Sequence, residues 1–129
     1  METQLRTDLL GWLRGEPTIT AAVNLVDEAE TSRAMMPWLA LVASASVDWS
    51  SKTHTGREIR IALELRHRGD VPGDAAELLR AIEARVETLP TQQNGYEIAG
   101  IQFLRARTER RAKNERASLV EYRFRVVLT

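Results

Sequence analysis

The sequence predicts an α+β fold: an antiparallel β-sheet with an N-terminal helix and one long helix packed on one face. Three observations carry this. In residues 58–66, Ile59, Ile61, Leu63 and Leu65 alternate with Glu58, Arg60, Ala62, Glu64 and Arg66, the period of a half-buried strand. Residues 119–128 repeat that alternation. Between the two lies a stretch with apolar residues at three- and four-residue spacing, the period of a helix with one buried stripe. The chain has 129 residues, 43% of them hydrophobic, which suits one domain with a modest core.

Taken in order, Leu5, Leu9, Trp12 and Leu13 form the apolar stripe of the first helix, and Gly15 follows as its stop. Pro17 opens a short helical turn over residues 18–22. Residues 23–26 read as a short strand. Residues 27–37 are polar without a period and read as a loop, long for a compact domain and so a candidate for function. Residues 38–47 form a strand, residues 48–56 a turn rich in Ser and Thr, and residues 58–66 the clearest strand, with Ile59, Ile61, Leu63 and Leu65 on its buried side. Asp74 has the character of an N-cap and Glu77 completes a capping box. A helix over residues 74–88 follows, buried along Ala75, Leu78, Leu79, Ile82 and Val86. Residues 98–106 form a strand with Ile101 and Phe103 on one side. Residues 108–117 form a charged tip, and residues 119–128 the last strand.

The composition removes several classes of chemistry. Without cysteine there is no disulfide framework, thiolate metal site or cysteine nucleophile, and the composition fits a reducing compartment. No basic-then-apolar leader opens the chain, and no apolar run approaches the roughly 20 residues of a spanning helix, so a cytoplasmic, non-membrane domain is expected. The two histidines, His54 and His67, fit no metal-binding spacing and read as exposed and solvated. No phosphate-cradling glycine loop, dinucleotide fingerprint or nucleophile elbow occurs. No cofactor, metal or catalytic residue is expected, and the chain does not read as an enzyme.

Charge is balanced overall but not along the chain. Residues 1–50 hold three basic groups against seven acidic ones, and residues 105–125 hold eight basic groups against three acidic ones. A subunit so polarised can associate head to tail. The candidate interface residues are therefore Asp27, Glu28, Glu30, Arg33, Met35 and Met36 in the long loop, and Arg110, Arg111 and Lys113 in the basic tip. The clustered carboxylates read as a solvated acidic loop rather than an ion site. The methionines are apolar residues in polar company, suited to tucking under the loop or meeting a partner. Trp12 and Trp38 read as core. Trp49, in a turn, suits packing over the core edge or anchoring an interface. The basic tip has no aromatic residue to stack on bases, which argues against nucleic-acid readout.

Residues 47–65, with the turn Asp48-Trp49-Ser50-Ser51-Lys52, the step Gly56-Arg57 and the alternating strand, resemble the middle of the tail-completion, or head–tail joining, proteins of siphophages and of gene transfer agents. A Gly/Asp break, an Ala- and Glu-rich helix and a basic final strand pair extend the resemblance over residues 5–128. The link over residues 24–37 departs from the family's usual, shorter one. The resemblance implies a single tail-terminator-like domain spanning residues 1–129. It implies a structural virion protein, a homohexameric ring that ends the tail tube and joins it to the head connector. Its partners would be copies of itself, the tail tube protein and a head connector or adaptor protein, with DNA only passing through the lumen. The site would be the neck of a phage-like particle assembled in a bacterial cytoplasm. A head-side adaptor or minor tail subunit is the alternative role.

Overall fold

The computed structural model describes residues 1–28, 35–69 and 75–129. Among the described residues, three helices and five strands follow in the order α1 (Glu2–Arg14), α2 (Pro17–Thr20), β1 (Val26–Glu28), β2 (Trp38–Asp48), β3 (Gly56–Arg68), α3 (Ala76–Glu87), β4 (Tyr96–Arg110) and β5 (Glu115–Leu128). The strands form one sheet in the order β1-β2-β3-β5-β4.

The α+β class stands, with two corrections. The sheet is mixed rather than antiparallel: β1 runs parallel to β2, with Val26 opposite Leu39 and Glu28 opposite Leu41. The chain leaves β1 at Glu28 and re-enters the sheet at Trp38 in the same direction, which a hairpin cannot do. Nor is there one long helix. α3 has 12 residues and α1 has 13, so two short helices share the work of covering the sheet. Ala75 occupies the cap of α3, and Asp74, the cap expected there, lies outside the described residues.

The core forms where the helical and strand periods meet. Leu5, Leu9 and Leu13 of α1 and Ile82 and Val86 of α3 are fully buried. They lie over Ile59, Ile61, Leu63 and Leu65 of β3 and over Val120, Tyr122, Phe124 and Val126 of β5. The alternate residues of these strands project from the opposite, helix-free face. There Glu58 meets Arg125 at 3.0 Å and Arg123 at 3.6 Å, and Arg105 meets Glu121 at 3.1 Å.

Short strands and turns depart most from expectation. Val23 still belongs to the turn after α2, donating its N–H to the Ile19 carbonyl, so the first strand begins three residues later than expected. The charged tip is mostly strand: β4 runs to Arg110, β5 starts at Glu115, and only residues 111–114 turn. Lys113 and Asn114 take left-handed φ values of 59° and 61°. The turn is held to the end of β3, where the Gly69 N–H donates to the Asn114 carbonyl and Arg68 donates to the Lys113 carbonyl.

Candidate interface surfaces

Two of the charges expected in the acidic loop are engaged inside the subunit. Asp27 and Glu28 belong to β1, not to a loop. Asp27 lies 3.3 Å from Arg14 and Glu28 lies 2.6 Å from Arg6, so both carboxylates tie β1 to α1. Glu30 and Arg33 lie outside the described residues. Among the described residues, no group of three or more His, Asp or Glu is placed to hold a metal ion, and no helix is long and apolar enough to cross a membrane.

Met35 is 78% exposed, whereas Met36 is half-buried. The Asn24 side-chain amide donates to both their carbonyls, at 2.8 and 3.1 Å, and so fixes the backbone that presents them. At the basic turn, Arg111 and Arg107 both reach Glu109, at 3.3 and 2.5 Å. Arg110 and Lys113 make no ion pair among the described residues, which leaves their charge available at the surface.

Trp49 is 38% exposed at the end of β2, with the Arg125 guanidinium 5.3 Å above its ring. Val47, 59% exposed, stands on the same helix-free face beside it. The other two tryptophans are half-buried rather than enclosed. Trp12 lies beneath Arg85 at 3.4 Å and Trp38 beneath Arg66 at 5.4 Å. Arg85 and Trp12 also exchange backbone contacts: the indole N–H donates to the Arg85 carbonyl at 2.8 Å, and Arg85 Nε donates to the Trp12 carbonyl at 2.7 Å.

His67 corrects the expectation of an exposed histidine. It is 5% exposed, and its Nε2 lies 3.0 Å from Ser118 Oγ, which in turn lies 2.9 Å from Thr108 Oγ1. This polar chain crosses β3, β5 and β4 on the helix-bearing face. The signal was present, because His67 continues the parity of Ile59 to Leu65 by one more step. His54 is exposed, beside Thr53.

Among the described residues, Tyr96, Tyr122 and Glu2 are shifted where α1 or α3 meets the sheet. Burial, followed by the bond to Asp8, pushes the Tyr96 hydroxyl well above its usual range; burial and Glu87 do the same to Tyr122. Glu2 is held below the usual carboxylate value, first by the Ser44 hydroxyl donating to it at 2.6 Å and then by Ser46. Each of these groups serves a contact between elements and none faces a ligand-sized recess. A recess of about 390 Å³ between α2, α3 and the end of β3 contains Glu77, Arg68 and the buried His67 among apolar neighbours. Its polar groups serve no recognisable reaction in concert.

The feature that sequence reasoning missed is the pair of sheet edges. Among the described residues, β1 is the outermost strand on one side and pairs with Leu39, Ala40 and Leu41 of β2. At the other side, β4 is the last strand. The segment containing Thr91 and Gln92 folds against its first residues, through the Ile98 N–H to the Thr91 carbonyl and a bridge from Gln92 to Glu97, and then leaves it. No periodicity reports strand order, so nothing in the sequence marks which strands lie outermost.

No curated protein matches the chain in sequence. In fold it is similar to a chain in a solved structure titled "Virion of native gene transfer agent (GTA) particle". The two share 20% identity and a TM-score of 0.72, over 95% of this chain and 94% of that one. The model of the family described as "Tail completion protein gp17" matches residues 7–129. With nearly the whole sequence matched, from within α1 to the last residue, the chain belongs to that tail completion protein family.

Proposed function

We propose that this protein is a non-enzymatic virion subunit that forms a homohexameric ring on the end of a tail tube and offers a face to the head connector. The observation that carries the reading is family membership across residues 7–129. The likeness in fold to a chain of a gene transfer agent virion accords with it. The surface supports a binding role as well. Rigid strands project a basic turn at one end and exposed Trp49 and Val47 at the other, which suits contacts with more than one partner. DNA passes through the lumen without being gripped. On the helix-free face Arg123 and Arg125 pair with Glu58 and Arg105 with Glu121, which offsets part of the positive charge there.

Charge reversal tests the basic turn. With Arg110, Arg111 and Lys113 all changed to Glu, ring closure or tail joining is lost while the subunit stays folded. Assembly at the wild-type level would remove these residues from the interface. A chain that ignores tail tubes but binds the head connector alone would instead be a head-side adaptor.

A further inference from the structure

We infer that the outer edge of β4 takes an added strand: an extended segment of a partner chain in which acidic and apolar residues alternate. The inference goes beyond the ring reading and does not depend on it.

The backbone comes first. The Leu128 N–H donates to the Thr55 carbonyl, so the even-numbered residues of β5 turn their backbone groups toward β3. Their partners on β4, Ile98, Ile101, Phe103 and Ala106, therefore turn theirs outward. At Ile98 that edge is used within the chain: its N–H donates to the Thr91 carbonyl at 2.7 Å. The segment before Thr91 goes no further along the strand, because the Leu89 N–H donates to the Val86 carbonyl at the end of α3. Among the described residues, Ile101, Phe103 and Ala106 have no backbone partner on this outer side.

Neither stretch outside the described residues can reach Phe103. Residues 29–34 join Glu28 to Met35, at β1 and Asn24 on the opposite side of the sheet. Residues 70–74 join Ala75 to Gly69, which is bonded to Asn114 in the hairpin turn. Phe103 lies about 20 Å along the ladder from Arg110, where that turn begins, and five residues span at most about 18 Å.

The side chains say what fits. On the helix-bearing face, Phe103 is 44% exposed and stands edge-on to Tyr122. Further along the strand, a recess of about 260 Å³ opens between α3 and the β4–β5 pair, with Leu79, Ala106 and Val120 among its walls. Apolar side chains on that face of an added strand would cover Phe103 and enter the recess. On the helix-free face, β4 carries Arg105 and Arg107, each with more than half of its side chain exposed. Acidic side chains on the other face of the added strand would lie beside them. Charge on an edge strand excludes like-charged strands and admits opposite ones. A second copy's β4 would bring the same arginines alongside, cation beside cation.

The probe is a short, end-capped peptide alternating Glu with Val, labelled with a fluorophore and added to the full-length chain. Anisotropy reads binding, and NMR hydrogen exchange reads the amides of Ile101, Phe103 and Ala106. Saturable binding that slows those amides is expected, and a peptide with Lys in place of Glu should not bind. Ala106→Pro removes one outward N–H and no bond of the β4–β5 ladder, so it should stay folded and weaken binding about tenfold. If circular dichroism finds that variant unfolded, Phe103→Ala takes its place with the same expected loss. No binding at millimolar peptide, slowing of other amides only, unchanged affinity in the variant or equal binding of the Lys peptide would each overturn the inference. Slowed β4 amides in concentrated protein without peptide would overturn it in favour of a second copy. The readout needs no ring. Rings without peptide binding would sink this inference alone, and peptide binding by a chain that never forms rings would sink the ring reading alone.

Discussion

Arg85 joins two elements through three contacts at once. Its guanidinium stacks on Trp12 and donates to the Trp12 carbonyl, and its own carbonyl accepts from the indole. Replacing it with Ala should cost about 2 kcal/mol, from lost stacking and a charge-assisted bond. Urea denaturation measures this, and Arg85→Lys should recover less than half because an ammonium cannot stack as a plane. Glu2 gives a pH signature. Its folded pKa lies below its ordinary value, so its contribution is present above the ordinary carboxylate range and is lost as pH falls through the folded value. The stability gap between wild type and Glu2→Gln should thus be full near neutrality and close in acid; a gap constant with pH would refute this. The residue scale is also where sequence reasoning erred most plainly. Its place at a strand end suggests solvent for His67, yet its parity puts it inside, where its Nε2 shares a hydrogen bond with the Ser118 hydroxyl.

Among the elements, legibility followed the strength of the period. β3, with four apolar residues in strict alternation, is read to within two residues at each end, and β5 to within four at its start and to the residue at its end. β1 was misplaced because three residues cannot show a period and its partner, Leu39 to Leu41, is remote in sequence. The β4–β5 hairpin was read as a broad charged tip because arginines on a solvent face look like a loop. Turn chemistry then explains details that the pattern leaves open. Gly56, in the Gly-Arg step of the family resemblance, has no room for a side chain. An added Cβ would lie 2.5 Å from the Trp49 carbonyl oxygen and 3.0 Å from that of Val126. Gly56→Ala should cost about 3 kcal/mol by urea denaturation, because both contacts are backbone and cannot swing aside. Lys113 pays the opposite way: at φ 59° a glycine relieves strain, and Lys113→Gly should raise stability by about 0.5–1 kcal/mol.

On the scale of the whole molecule, helices and an extensive core cover one face of the sheet, and charges in mutual pairs cover the other. This division was only partly legible. The polar alternation announced one wet face, whereas the pairing of acidic residues with α1 within the subunit has no signal in the sequence. Asp27 and Glu28 serve α1, while Arg110 and Lys113 keep exposed charge. The account's central claim is that the folded subunit assembles into a ring at the end of a tail tube. Native mass spectrometry of the purified chain, alone and with tail-tube protein, followed by negative-stain imaging, tests it most directly. The account predicts a hexameric ring, free or seated on tube ends, and tubes that stop growing once capped. A chain that stays monomeric beside uncapped tubes would contradict it.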